Sequence, residues 1–456
     1  MTRTYGPPTQ PHAPKPQGDV RRRRIVRTAL SGVLTRVAGF LPALGIAPLA
    51  VADLGAERFG VLMTVLSLIA FLSLADLGVG GSLVTSISRA LGAGNLRRIA
   101  VLQANGLAVV SAMAVVLAVM AAGLALSDAG SLVFPHSAEA VRSEATLALS
   151  TFGFLFAISL PLTLVTKIQL GLQKGHLANH WQTAAGLINF GCGALACQLG
   201  AGVPWIVLGL LSGTLSCGLA NTAIHLRERS VSQPSFSDIR KSILRRLVRD
   251  SLYYLALQII YLATYAVDTL IVARQLGAQE ASTYALAERL FSIVAVAVAV
   301  VTGPLWTAYG EAIGNNDQDW ARRCLRVSLR RIALVAGALS AILLALFSPM
   351  VSLLGSGVLA APLGIAAAMA AWRVVEAVGA MLSVYLYANQ AVRIVVISGT
   401  LTAVASLFLK TQNIGRFGPA ALPLITLTCY ILLSLLPCWL YVQRADRAQF
   451  TAQAIK

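Results

Sequence analysis

Charged residues are scarce in this sequence, at 12% of its 456 residues, against roughly a quarter in soluble domains. Hydrophobic residues make up 57%. A chain with so few polar groups does not form a water-soluble globular domain. Apolar runs of about 20 residues, enough to cross a bilayer core about 30 Å thick, recur from one end to the other. The composition therefore predicts an all-α, multi-pass membrane protein, because a lipid-exposed backbone must satisfy its own hydrogen bonds.

Other features that are missing narrow the function. No GxxxxGK[ST] motif occurs, so the sequence predicts no ATP hydrolysis. The six cysteines lack the spacing of a disulfide framework or a zinc site, and His176 and His180 have no evident third ligand, so we expect no metal and no cofactor. The longest predicted outer segment, residues 127–144, offers few catalytic side chains, which disfavours a membrane polymerase or glycosyltransferase.

The apolar runs predict twelve spans, and the basic residues predict their orientation. With the N-terminus inside, 28 of the 36 Lys and Arg residues lie on the cytoplasmic side and 5 outside. This asymmetry predicts that both termini are cytoplasmic. The net charge is +18. The basic residues that produce it lie between apolar runs and not on a soluble domain, so no nucleic acid is expected as a partner. The predicted spans are 26–51, 59–88, 99–126, 145–170, 177–200, 204–226, 250–273, 281–309, 328–354, 358–387, 391–410 and 419–442.

The chain divides into two similar halves. Leu54-Gly55-Ala56 precedes Leu276-Gly277-Ala278 by 222 positions, and the Gly-Asn pair at 94 recurs 220 positions later. Because each half has an even number of spans, the sequence predicts two six-helix lobes related by a parallel pseudo-two-fold repeat, with a working cavity between them. The predicted divisions are a disordered basic tail (1–24), an N-lobe (25–226), a cytoplasmic linker with an amphipathic helix on the membrane surface (227–249), a C-lobe (250–443) and a C-terminal tail (444–456).

Several charged residues fall within the predicted spans, where each costs about 3 kcal/mol. We expect them to face a water-filled cavity. Guanidinium groups bind phosphate in a bidentate manner, so basic residues here suit a phosphate-bearing substrate. Carboxylates in the same region are candidates to bind a coupling proton or cation. The candidate substrate-binding residues are Arg36, Lys167, Arg289 and Arg373, and the candidate ion-coupling residues are Asp76, Asp268, Glu288 and Glu376.

Two alternatives stay open for these charges. Arg373 and Glu376 are spaced i,i+3 and can form an ion pair that only neutralises itself. Glu288 and Arg289 are adjacent and point in different directions, so one of them needs a partner elsewhere, and Asp268 is a candidate.

The stretch "FLSLADLGVGGSL" (71–83) places Asp76 just before three glycines, Gly78, Gly80 and Gly81. A hinge or cap role is the favoured interpretation, because glycines free the backbone near the end of a long span.

The segment "LGAERFGVLMTVLSLIAFLSLADLGVGGSL" (54–83), with the Gly-Asn and basic residues that follow it, resembles the Wzx-type polysaccharide-unit flippases. These belong to the multidrug/oligosaccharidyl-lipid/polysaccharide (MOP) exporter superfamily. "LTRVAGF" (34–40) is similar to the first span of the related lipid II flippases, where Arg36 matches a basic residue. The Arg-Asp that follows there is replaced here by Leu41-Pro42, which argues against lipid II as the substrate.

The resemblance implies two lobes around a cationic cavity in the bacterial inner membrane. It further implies an undecaprenyl-diphosphate-linked oligosaccharide as the substrate, the membrane lipid as the surroundings of its prenyl tail, and a polysaccharide polymerase and chain-length regulator as possible partners. The alternative functions are a cation-coupled multidrug antiporter or a lipid II flippase of the same superfamily.

Overall fold

The computed structural model describes residues 18–69, 77–127, 130–131, 138–228, 233–354 and 362–444, and their regular structure is helical. This confirms the predicted all-α class. Asp76 lies outside the described residues. The helices are α1 (Gly18–Ile69), α2 (Val79–Gly92), α3 (Leu96–Ala125), α4 (Glu139–Gly171), α5 (Gly175–Gln198), α6 (Val203–Arg227), α7 (Lys241–Tyr261), α8 (Asp268–Leu276), α9 (Ala278–Gly314), α10 (Gln318–Ala345), α11 (Phe347–Leu354), α12 (Leu363–Ala388), α13 (Val392–Phe417) and α14 (Ala421–Tyr430).

Nine helical segments in the described part of the chain are long and apolar enough to cross a membrane. They correspond to the predicted spans other than the first, second and fifth. The fifth predicted span is helix α5, which has 24 residues. The first two predicted spans meet in α1, whose 52 residues extend to about 78 Å at 1.5 Å per residue.

The predicted break between the first two spans is absent. Residues 52–58 contain one glycine and no proline, so the local sequence favours continuation of the helix over a loop. The helix also begins earlier than the predicted first span. Residues 18–24, predicted as part of a disordered tail, form the first turns of α1, and Arg21 within them is buried.

Buried apolar side chains divide the described chain into two lobes. One large cluster is formed only by residues between 271 and 442, on helices α8 to α14 and the end of the chain that follows. Two smaller clusters lie within α1 to α6, and to one of them α7 contributes Leu247. The two lobes of the described structure therefore have separate cores, with α7 contacting both.

The basic stretch before the second lobe differs from its prediction as a separate surface helix. A short 3-10 turn at Phe236–Asp238 leads into α7, and residues 241–249 are the first turns of that helix. No glycine or proline interrupts the sequence between 241 and 261, so nothing stops the helix at the membrane surface. A π turn at Leu262–Ala266 then separates α7 from α8.

The lobes meet closely at one end of the bundle, called here the basic end, where α1 begins and α2 and α9 end. Gly310 and Gly314 of α9 lie against Ser88 and Arg89 of α2, so that a Cβ at Gly314 would lie 3.0 Å from the Arg89 carbonyl carbon. The glycines are what allow the two backbones to approach this closely.

The glycines predicted as a hinge lie where α2 begins. Gly78 caps the helix at φ +80°, in the left-handed region that favours glycine. A Cβ on Gly81 would lie 2.6 Å from the Tyr254 ring of α7. Gly80 lies in the first turn of α2, where it is one of the buried residues of the helix. The structure thus shows a turn and a close helix contact at this position, and a hinge role stays a prediction.

Candidate substrate cavity and charged clusters

A cavity of about 550 Å³ lies between α1, α4 and α5 of the first lobe and α9 of the second. Two cations line it, Arg36 from α1 and Lys167 from α4, and both side chains are exposed. The lining contains no acidic residue among those that the structure describes. Two of the four predicted substrate-binding residues are therefore brought together on the wall of one space between the lobes.

Hydrogen bonds between α1 and α5 fix this wall. The Thr35 hydroxyl donates to the Asn179 carbonyl oxygen at 3.0 Å, and the Asn179 side-chain amide donates to the Thr28 carbonyl oxygen at 2.9 Å. Arg36 follows Thr35 directly, so its backbone is held next to this contact. Gly32 and Gly39, one turn to either side, add no side chain that would fill the space.

The cavity combines groups whose chemistry suits a phosphorylated, hydroxyl-rich ligand. The Arg36 guanidinium can donate two parallel hydrogen bonds to a phosphate, and Lys167 adds a compact point charge. The exposed Gln182 amide on α5 also lines the space, and an amide can both donate to and accept from hydroxyl groups.

Arg373 is arranged differently from Arg36. It is buried in α12 and donates to the Glu376 carboxylate at 2.7 Å. This is the i,i+3 ion pair that the spacing allowed. Glu288 of α9 is half-buried within electrostatic range of Arg373, whereas Arg289 is exposed. Neither Arg373 nor Arg289 lines the cavity that holds Arg36.

Asp268 has a partner that the sequence did not predict. Lys410 of α13 donates to one carboxylate oxygen at 2.6 Å and to the Thr264 carbonyl oxygen at 2.9 Å. The Tyr284 hydroxyl donates to the other carboxylate oxygen at 3.0 Å. Thr264 lies in the π turn, where carbonyls depart from the regular i→i−4 pattern and become available to side chains.

Two predictions are corrected by this cluster. The predicted span 391–410 ends at Lys410, which is one of the five basic residues counted on the outer side, yet Lys410 is buried within α13 (Val392–Phe417). Asp268 is a candidate partner for Glu288 or Arg289 by sequence, but it pairs with Lys410. Hydropathy ends the span at Lys410, because a lysine followed by polar residues resembles a span boundary.

A second ion-pair network joins the lobes at the basic end. Arg21 of α1 donates to Glu311 of α9 at 3.2 Å and to Asp317, just before α10, at 2.7 Å. Gln173, in the turn between α4 and α5, donates to the same Glu311 oxygen at 2.7 Å. The Arg21 guanidinium also lies 4.8 Å from the centre of the Trp320 ring.

Sequence reasoning missed this network, which we call the basic-end lock (Arg21, Gln173, Glu311 and Asp317). Arg21 belongs to a run of four arginines that predicted only orientation. The available signal was Glu311, the one acidic residue in the last two turns of a long apolar helix, with a glycine on each side at 310 and 314.

The fold is shared with solved transporters. An aspartate-to-asparagine mutant of VcmN, a Vibrio cholerae MATE transporter, superposes with a TM-score of 0.78 over 94% of this chain and 98% of that one, at 14% identity. A Pyrococcus furiosus MOP-superfamily transporter, described as having a binding pocket of reversed polarity, gives 0.72 over 91% and 94%, also at 14% identity. An outward-facing multidrug-resistance MATE transporter gives 0.73 over 94% and 97%, at 12% identity. None of the curated protein sequences matches this chain significantly.

The two-lobed helical fold is that of the solved transporters above. The chain belongs to the polysaccharide biosynthesis protein family, whose model matches residues 24–305, and through this family it is a member of the MOP exporter superfamily. The matched segment includes both cavity cations, Arg36 and Lys167.

Proposed function

We propose that this protein moves an undecaprenyl-diphosphate-linked oligosaccharide from the inner to the outer leaflet of the bacterial inner membrane for surface polysaccharide synthesis. The observation that carries the proposal is the cavity between the lobes, in which the described lining has two exposed cations and no acid. Membership of the polysaccharide biosynthesis family supports a carbohydrate-bearing substrate.

In this proposal each part of the substrate has its own surroundings. Arg36 and Lys167 hold the diphosphate, because guanidinium and ammonium groups retain their charge when partly desolvated beside phosphate. Gln182 offers hydrogen bonds to sugar hydroxyls, and the prenyl tail stays in the lipid. Arg373 and Arg289 are left out of this site, because they lie outside the cavity lining.

The charge distribution supports an orientation of the protein in the membrane and, with it, a transport cycle. In this proposal the basic end, with both chain termini, faces the cytoplasm, and the excess of Lys and Arg supports that orientation. The basic-end lock then joins the lobes on the cytoplasmic side. Alternating access requires these contacts to separate in the state that takes up substrate from the inner leaflet.

We assign coupling to an ion gradient, as part of the same proposal, to Glu288. It is half-buried and makes no ion pair with a described residue, whereas Asp268 and Glu376 are each bonded to a cation. Asp268 and Glu376 can bind a coupling ion only when those pairs open.

The test is replacement of Arg36 in a strain whose surface polysaccharide depends on this protein. Arg36→Ala should lower translocation about 10- to 100-fold, the loss expected when a hydrogen bond to a charged group disappears. Arg36→Lys should recover part of the activity, because it keeps the charge but not the bidentate geometry. The measurements are surface polysaccharide and accumulation of the lipid-linked unit.

Arg416→Ala is the matched control, since Arg416 is an exposed arginine at the end of α13 and remote from the cavity lining. Protein level in the membrane is measured for every variant. Normal polysaccharide in an Arg36→Ala, Lys167→Ala double variant would contradict the proposal. Loss of drug resistance in that variant, with normal polysaccharide, would favour a multidrug antiporter.

A further inference from the structure

A second cavity, of about 640 Å³, lies between α1, α9, α10 and α12. We call it the α10 groove. It is separate from the cavity that holds Arg36, and the adjacent residues Val300 and Val301 of α9 line the two spaces respectively. Its walls are mainly apolar, and its charged lining residues are Arg22, Arg323 and Arg331.

The length of the groove matches one lipid leaflet. Its lining on α10 runs from Trp320 to Val335, which is about 22 Å at 1.5 Å per residue. Half of a bilayer with its headgroups is about 20–22 Å thick. The groove starts at the basic end, so a lipid of the leaflet at that end of the bundle can enter it.

The arginines are placed for an anion at the headgroup level. Arg323, Val327, Arg331 and Val335 recur every four residues and share one stripe of α10 that lines the groove. Arg331 lies about 20 Å along the helix from its first residue, beside the apolar residues Ile332 and Val335. None of the three groove arginines makes an ion pair with an acidic residue in the described part of the chain. A guanidinium beside apolar side chains of a membrane helix is favourably placed to bind an anion.

Another cavity with several arginines lies at the other contact between the lobes. It has a volume of about 390 Å³, lies between α2, α3 and α7, and is lined by Arg97, Arg98, Arg240 and Arg246 together with Asp250, which pairs with Arg246. Arg97 and Arg98 follow the Gly-Asn pair at 94, and Arg322 and Arg323 follow its repeat at 314. A basic cavity beside the first helix of the opposite lobe is therefore a feature of both repeats.

We propose that the α10 groove is a binding site for an anionic phospholipid of the surrounding membrane. The phosphate lies against Arg22 and Arg323 at the headgroup level, and an acyl chain lies along Val301, Val327 and Val335. Arg331, about 12 Å further along α10 than Arg323, adds positive charge to the groove wall. Basic pockets between membrane helices bind anionic headgroups in this manner. An undecaprenyl chain is several times longer than an acyl chain and exceeds a groove one leaflet in length, so a phospholipid fits better than the carrier lipid.

The bound lipid would bridge the lobes. Arg22 belongs to α1, whereas Arg323 and Arg331 belong to α10. Arg22 is adjacent to Arg21, which forms the basic-end lock with Glu311. An anion shared by Arg22 and Arg323 therefore stabilises the same arrangement of lobes as the lock does.

The headgroup test uses the purified full-length protein and two probes, phosphatidylglycerol and phosphatidylcholine. Retained lipid is measured by native mass spectrometry, and the thermal midpoint is measured with each probe. Phosphatidylglycerol should be retained and should raise the midpoint, and phosphatidylcholine should do neither. An Arg323→Gln, Arg331→Gln variant should bind phosphatidylglycerol about 10- to 30-fold more weakly, from the loss of two interfacial cations.

The matched control is Arg326→Gln, Arg330→Gln, which removes the same charge from the same helix at exposed positions outside the groove lining. This variant should bind like the wild type. Equal weakening in both double variants would overturn the proposal, because it would indicate diffuse attraction to the whole helix.

The contact with the acyl chain of the phospholipid is tested separately by filling the groove. Val335→Trp should reduce retention of phosphatidylglycerol, whereas Leu334→Trp should not, because Leu334 is 73% exposed and does not line the groove. Undecaprenyl phosphate is the competing probe. If it displaces phosphatidylglycerol at equal concentration, the groove is a carrier-lipid site and the phospholipid proposal is wrong.

Discussion

Lys410→Met is expected to destabilise the protein by about 3–5 kcal/mol, the loss typical of removing one partner from a buried ion pair. Lys410 and Asp268 have side chains that are 1% and 8% exposed, and their atoms are 2.6 Å apart. Without Lys410, the Asp268 carboxylate keeps only the hydrogen bond from Tyr284 among its described contacts. The measurement is the free energy of unfolding in mixed micelles, or the thermal midpoint of the purified protein.

A double variant separates the lost pair from lost packing. Lys410→Met combined with Asp268→Leu removes both charges and keeps apolar volume, so much of the stability should return. If the double variant is as unstable as Lys410→Met alone, the ion pair is not the source of the stability.

The same double variant tests ion coupling. If the pair only stabilises the second lobe, the refolded double variant should transport its substrate. If Asp268 carries a coupling ion, the double variant should fold and lose transport. The assignment of coupling to Glu288 predicts the first outcome, and Glu288→Gln should lose transport while remaining folded.

Those features that depend on hydropathy, charge balance and internal repetition were predictable from the sequence. The helical class follows from apolar runs that match bilayer thickness. Arg36 was predictable as a cavity residue because its distance from the start of its span left few other places for a guanidinium. Lys167 was a separate candidate for substrate binding, with no predicted position relative to Arg36, and the structure places both side chains on the lining of one cavity.

The pairing of charges was not predictable in the same way. Lys410 and Asp268 are 142 positions apart, and Arg21 and Glu311 are 290 apart. Such contacts depend on which helix faces pack together, and that information is absent from the local pattern of a single sequence. Arg373 and Glu376 are three positions apart on one helix, so their ion pair could be anticipated.

The ends of helices were the least predictable feature. The first turns of α1 and α7 are basic and polar, so hydropathy assigned them to a tail and a surface helix. In the structure they are continuous with the helices that follow. Arg21 in the first of them is buried against the opposite lobe, where Glu311 and Asp317 compensate its charge.

Glu311→Ala is expected to open the lobe contact at the basic end. The carboxylate accepts from Arg21 and Gln173, and the Arg21 and Glu311 side chains are 1% and 4% exposed. Its removal leaves Arg21 with only Asp317, which is 26% exposed, as its acidic partner among the described residues. A loss of about 3 kcal/mol from a buried pair changes the ratio of joined to separated lobes about a hundredfold.

Spin labels at Leu96→Cys and Asn316→Cys report this change, because both residues are exposed near the basic end on opposite lobes. The six native cysteines are replaced first. The wild type should give one short distance distribution, and Glu311→Ala should add a longer one. Glu311→Gln is the milder variant, because its amide oxygen still accepts hydrogen bonds after the charge is lost.

A compensating variant tests whether charge pairing holds the lobes together. Arg21→Met with Glu311→Leu removes both buried charges and should restore the short distance relative to Glu311→Ala. Transport should fall in Glu311→Ala, because a protein whose lobes do not stay joined at the basic end releases its substrate back on that side of the membrane. An unchanged distance distribution in a folded Glu311→Ala protein would show that the glycine contacts between α2 and α9 join the lobes without the lock.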